Sequence, residues 1–150
     1  MLHHTDLTGF SKQAVSTTIV GYDGTEVDYT PPQNSLNIVY EANYTIAWDP
    51  DPQGSYPSTR LQYSSDGGST WTTLSGTRAM EGTFSSVNDN DWMQMTYRFV
   101  IAPWSGLRKL RLAGRAYSAS AEYTVGRQFY SNYSEGVSAC PNISVYAVVL

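Results

Sequence analysis

The sequence predicts an all-β fold, an antiparallel β-sandwich with a jelly roll as its expected form. Three observations predict it. Apolar residues recur at every second position from Trp92 to Ile101 and again from Ile143 to Val149, the beat of strands with one buried face. Turn signals such as Pro31-Pro32, Asp66-Gly67-Gly68 and Pro103-Trp104-Ser105-Gly106 punctuate the chain at short intervals, and no stretch carries a helical period. Charged residues make up only 15% and there are twelve tyrosines, so much of the polar surface is neutral and β-prone.

Residues 1–15 are polar and weakly patterned and are expected to form an arm, with Phe10 as an anchor on a neighbour. Residues 16–150 form the single sandwich domain. Ser16–Val20 and Thr25–Thr30 read as short strands around the turn Gly21-Tyr22-Asp23-Gly24, and Pro31-Pro32 stops the second. Asn34–Tyr40 and Tyr44–Trp48 read as two strands broken at Glu41-Ala42-Asn43. Asp49-Pro50-Asp51-Pro52 is a rigid loop. Its two aspartates have the spacing of a calcium loop, but the glycine and final glutamate of that pattern do not follow.

Thr59–Thr73 holds a hairpin. Leu61 and Tyr63 share a face, Asp66-Gly67-Gly68 turns the chain, and Trp71 begins the return. Trp92 opens the longest alternation, expected as a central strand. Tyr97–Tyr117 reads as a second hairpin about Pro103–Gly106. In its return strand Leu110 and Leu112 face the core, while Lys109, Arg111 and Arg115 form a basic face. Trp104 at the tip either folds back over the sheet end or sits in a contact. Tyr123–Tyr130 is strand-like, and the apolar strand up to Leu150 belongs inside a sheet.

No reactive constellation emerges, so no catalytic residue is assigned and the chain is read as no enzyme. The two histidines, His3 and His4, are adjacent and lie in the arm, a poor place for the preorganised geometry a serine or cysteine nucleophile needs, and far in sequence from Cys140. Two histidines and one cysteine are too few for a zinc site, and no pattern singles out a pair among Asp66, Glu81, Asp89 and Asp91 for glycoside hydrolysis. No metal and no cofactor is expected. Asn88-Asp89-Asn90-Asp91 is read as capping its own backbone.

Net charge is −4 and uneven: residues 1–90 carry −7 and residues 91–150 carry +3. Such halves can neutralise each other within a subunit or between neighbours. The overall sign and the lack of a lysine-rich arm argue against nucleic acid as a partner. No basic-then-apolar leader opens the sequence, and no run approaches a membrane span. Three glycan-acceptor patterns, at Asn43, Asn132 and Asn142, are treated as inert.

Two resemblances add to this reading. Ser64-x-Asp66-x-Gly68-x-Thr70-Trp71 resembles the Asp-box hairpin of sialidases and related propellers, where it is a folding element remote from catalysis. The order from Trp92 to Leu150, with its long strand, Pro103–Gly106, the strand Leu107–Arg115 and the apolar end, resembles jelly-roll modules of bacteriophage particles. These look like the trimeric tumour-necrosis-factor and complement-globular-domain folds. The resemblance implies a structural virion protein, a capsid decoration, head fibre or receptor-binding tip, that acts as a homotrimer on a capsid or other virion protein. The lack of a collagen-like or coiled-coil stalk favours a decoration or cement. The arm with Phe10, and Arg98, Trp104, Arg111 and Arg115, would make the contacts. The alternative is a carbohydrate- or receptor-binding module with Trp71 and Trp104 as stacking platforms. A further rival is an elongated adhesion sandwich.

Overall fold

The computed structural model describes residues 2–6, 13–48, 58–80, 92–117, 123–125 and 142–150. Within them the chain forms two antiparallel sheets of six strands each. In the first, β1 (Leu2–Asp6), β12 (Asn142–Val149), β5 (Ser35–Trp48) and β9 (Trp92–Ile101) lie side by side. Two short strands, β11 (Tyr123–Val125) and β2 (Gln13–Val15), extend it beside the far end of β5. In the second, β3 (Val20–Gly21) and β4 (Val27–Tyr29) flank β10 (Arg108–Arg115). Next come β6 (Ser58–Ser64) and then β7 (Thr72–Thr73) and β8 (Ala79–Met80). The path crosses between sheets from β2 to β3, β4 to β5, β5 to β6, β8 to β9, β9 to β10 and β10 to β11. Order and crossings together are those of a jelly roll.

Three expectations need correction. Tyr97–Tyr117 is not a hairpin. β9 pairs with β5 in one sheet and β10 pairs with β6, β3 and β4 in the other. Ala102–Leu107 is therefore the corner between the sheets. Proline has no amide hydrogen to donate to a ladder, and Gly106 at φ +80° turns the backbone toward the opposite layer. The break expected at Glu41-Ala42-Asn43 is also absent. β5 runs unbroken because Ala42, buried to 1% exposure, keeps the inward phase of Ile38, Tyr40, Tyr44 and Ile46. β5 is also the central strand of its sheet, whereas β9 pairs only with β5 among the described residues. Two described segments of the first fifteen residues join the first sheet. Leu2–Asp6 adds a strand to the edge of β12, and Gln13–Val15 pairs with β11.

The core lies between the layers. Ile38, Tyr40, Ala42, Tyr44, Ile46, Tyr97, Phe99, Ile143 and Val145 from the first sheet meet Val27, Tyr29, Leu61, Leu110 and Leu112 from the second. Tyrosine is used here as core filler with a tether. Tyr40 reaches across the sandwich and donates to the Thr25 carbonyl at 2.9 Å. The Thr59 hydroxyl lies 3.0 Å from Tyr22 OH and 3.2 Å from Tyr44 OH, which joins the sheets through one buried oxygen. Burial pushes the Tyr40 phenol well above its ordinary value, against the smaller lowering effect of its hydrogen bonds to Thr25 and Leu112. Rings also stack: Tyr44 on Tyr97 at 5.2 Å and Tyr97 on Phe99 at 6.0 Å between centroids.

Candidate functional site

Side chains that alternate with the core residues of β5, β9 and β12 make the outer face of the first sheet. Three cross-strand rows follow from the register. Thr96 donates to Asn43 Oδ1 at 2.6 Å, and Asn43 Nδ2 donates to Asn142 Oδ1 at 2.9 Å. The next row pairs Arg98 Nε with Glu41 Oε1 at 3.1 Å. Tyr146 OH donates to the same carboxylate oxygen at 3.2 Å and accepts from Arg98 Nη2 at 3.3 Å. The third row is apolar: Val100 opposes Val39, and Val39 opposes Tyr146. Val39 is covered by these neighbours, whereas Val100 is 59% exposed. Beyond it, where the first residues of β5 lie beside the last of β12, Leu36, Val148, Val149 and Leu150 are all exposed. One end of the outer face thus shows exposed aliphatic side chains, Val100, Val148 and Val149, near the Arg98–Glu41–Tyr146 triad, whereas Leu36 falls in the inward phase of Ile38 and Tyr40. Clusters of that kind mark contact surfaces.

The outer face of the second sheet is charged. Arg111 Nε donates to Gln62 Oε1 at 3.0 Å, its guanidinium lies 3.7 Å from the Trp71 ring centroid, and Nη1 is 3.8 Å from Glu26. Burial lowers the Arg111 pKa from its ordinary value, and the Glu26 charge acts in the opposite direction. A Cβ on Gly21 would come within 2.6 Å of this guanidinium, so only glycine leaves room for it. Lys109 Nζ sits 3.5 Å from Glu26 and 3.9 Å from Asp28. At the other end of the sheet Arg115 is exposed opposite Ser58, whose hydroxyl accepts from Arg60 at 2.9 Å and from Arg78 at 3.3 Å.

The hairpin from β6 to β7 follows its sequence signature. Ser64 Oγ donates to Asp66 Oδ1 at 2.6 Å and accepts from the Gly68 amide at 2.8 Å. The Thr70 amide and hydroxyl both donate to the Asp66 carboxylate, at 2.9 and 2.6 Å. These bonds, from Ser64 first and then Thr70, hold the Asp66 carboxyl far below the usual carboxylate range. Gly67 and Gly68 take φ of +73° and +103°, which explains the residue choice. Every carboxylate contact here closes the turn, so the motif serves folding.

Trp104 folds back. Its ring meets Tyr29 edge-on at 6.2 Å, and the Arg108 guanidinium lies between it and Tyr63, at 5.3 and 4.4 Å from the two ring centroids. It also forms part of a groove of about 520 Å³ between the segments Thr30–Ser35 and Pro103–Gly106, none of whose lining residues is charged. The buried Trp104 Nε1–H has no hydrogen-bond acceptor.

The residues expected to make contacts are thus not brought together. Arg98 borders the aliphatic cluster of one sheet, Arg111 and Arg115 lie on the other, and Trp104 stands at the corner between them. Of the two expected stacking residues, Trp71 carries Arg111 on its ring, while Trp104 lines the groove. Phe10, Asp49, Asp51, Glu81, the Asn88–Asp91 turn, Asn132 and Cys140 lie outside the described residues. Among the described residues no three His, Cys, Asp or Glu side chains gather as metal ligands, and no helix is long and apolar enough to cross a membrane. Sequence reading missed the Glu41–Arg98–Tyr146 triad, whose members are up to 105 positions apart. It also read Pro31-Pro32 only as a strand stop, not as a groove wall.

No family model and no curated protein matches the chain. Among the solved structures distantly similar in shape are three of different kinds. One is the Eiger tumour-necrosis-factor protein from S. frugiperda, with 9% identity over 92% of both chains and a TM-score of 0.44. Another is the C-terminal domain of EclA, a sugar-binding protein, with 10% identity over 85% of this chain and 74% of that one and a TM-score of 0.34. The third is the infectious bursal disease virus Gx strain, with 8% identity, a TM-score of 0.38, and all of this chain matched to 38% of the viral one. These are likenesses of β architecture at low scores.

Proposed function

We propose that the chain is a non-enzymatic structural protein that works by packing, as a homotrimer that decorates or cements a virus particle, a phage capsid in the first instance. The aliphatic cluster at one end of the first sheet is the observation that carries this reading. Val100, Val148 and Val149, on the outward phase of that end, expose between 42% and 59% of their surface. Covering them removes apolar area from water at about 25 cal/mol per Å². The Arg98–Glu41 pair beside them is 61% and 35% exposed, which suits a polar rim that sets register more than affinity. Binding to an assembled lattice but not to free subunits would stabilise the shell by mass action, and threefold repetition would add avidity. Such a protein belongs in the virion, assembled in the host cytoplasm.

The test is a pair of charge insertions, Val100→Lys and Val148→Lys, followed by mass measurement and by co-sedimentation with purified phage capsids. Both variants should fall to monomers with unchanged circular dichroism and should leave the capsid fraction. Wild-type protein that remains monomeric and stays out of that fraction would defeat the proposal.

A further inference from the structure

We infer that the groove at the sheet-to-sheet corner is a binding site for a neutral oligosaccharide. This goes beyond the assembly reading and does not depend on it. The groove is an open one of about 520 Å³, room for a short oligosaccharide, and no charged side chain lines it. Its walls combine two surfaces that sugar rings need. Trp104, Pro31 and Pro32 offer apolar patches against which the C–H faces of a pyranose can pack. Gln33 and Asn34 add carboxamides, each with one acceptor and two donors, which match the mixed donor–acceptor character of vicinal hydroxyls. The Trp104 indole N–H, buried in this wall without an acceptor, is the donor that a sugar oxygen would satisfy after a small shift of the ring.

Backbone geometry supports a preformed site. Asn34 holds φ +64°, the only non-glycine residue with positive φ among those described, so its side chain is set on a left-handed turn at the rim. Opposite it, Gly106 at φ +80° closes the corner that carries Trp104. Acidic glycans and nucleotides are disfavoured because the groove supplies no cation. A proline-rich peptide is disfavoured because such ligands sit between several parallel aromatic rings, and this groove has one.

The experiment exposes the purified full chain to an immobilised array of neutral and sialylated oligosaccharides. The strongest neutral glycan is then titrated against wild type, Asn34→Gly and Trp104→Phe. Asn34→Gly keeps the positive φ and removes the amide. Trp104→Phe keeps an aromatic ring and removes the N–H. The expected result is retention of a neutral glycan, weakened at least about tenfold by each variant and unchanged by Val100→Lys. Retention of no glycan, or of sialylated ones only, would overturn glycan binding of this class. Retention that both variants leave intact would overturn the groove as its site. Displacement of the glycan by a decaproline peptide would reassign the groove to peptide.

Discussion

Replacing Thr59 by valine should destabilise the protein out of proportion to the change in shape. The two side chains are nearly isosteric, so little packing is lost. What goes is an oxygen with no exposure that lies 3.0 Å from Tyr22 OH and 3.2 Å from Tyr44 OH. Tyr22 and Tyr44 are 1% and 2% exposed, so water cannot replace the lost partner without opening the sandwich. A hydrogen bond of this kind contributes about 1 kcal/mol net, and two are lost. We predict a loss of about 2 kcal/mol, or a drop in Tm of about 4–8 °C for a domain of this size. Urea unfolding followed by circular dichroism gives the number, with an unchanged m-value as evidence that the denatured state is the same. Thr59→Ser, which keeps the oxygen, should lose less than Thr59→Val. A Thr59→Val protein within about 0.5 kcal/mol of wild type, inside the ordinary scatter of surface substitutions, would refute the idea that this oxygen ties the sheets together.

Three other outcomes follow from the same geometry. Gly21→Ala should displace the Arg111 guanidinium, the far end of a flexible side chain, from Trp71, with an altered tryptophan emission and a loss of about 0.5–1 kcal/mol, the worth of that cation–π contact. The Asp66 pKa is depressed in the fold, so its stabilising effect is present above the unfolded value near 3.9 and is lost as pH falls through the lower folded value. Acid titration of Asp66→Asn should therefore show a shallower acid limb than wild type. The Tyr40 pKa is raised, so its contribution is complete below the unfolded value near 10 and is lost as pH rises above it. Spectrophotometric titration should find Tyr40 protonated until alkaline unfolding, and Tyr40→Phe should reduce the number of late-titrating phenols by one.

Local features were legible in the sequence, and relations between distant strands were not. Asp66-Gly67-Gly68 announced its hairpin because glycine and aspartate are chosen by the turn itself. The alternation of Leu110 and Leu112 with Lys109 and Arg111 put the correct residues in the core, since period two depends only on one buried face. The same period cannot say which sheet a strand joins. Tyr97–Ile101 and Arg108–Arg115 look like hairpin partners over a six-residue connection, and only the pairing of β9 with β5 shows that the connection is a corner. The partner of a charge is equally hidden: Arg98 looked free for a neighbour until β5 placed Glu41 opposite it. Arg111 likewise meets Trp71 and Gln62 only because β10 pairs with β6. The groove was illegible because its walls are a proline pair and a corner some seventy positions apart, each of which reads alone as an ordinary turn.

The most direct test of assembly through the exposed aliphatic end is solution mass as a function of concentration, by sedimentation or light scattering. Three copies of the 16.6 kDa chain give a species of about 50 kDa, and Val100→Lys should convert it to single chains. A wild-type mass of one chain at every concentration, unaltered by that substitution, would contradict it.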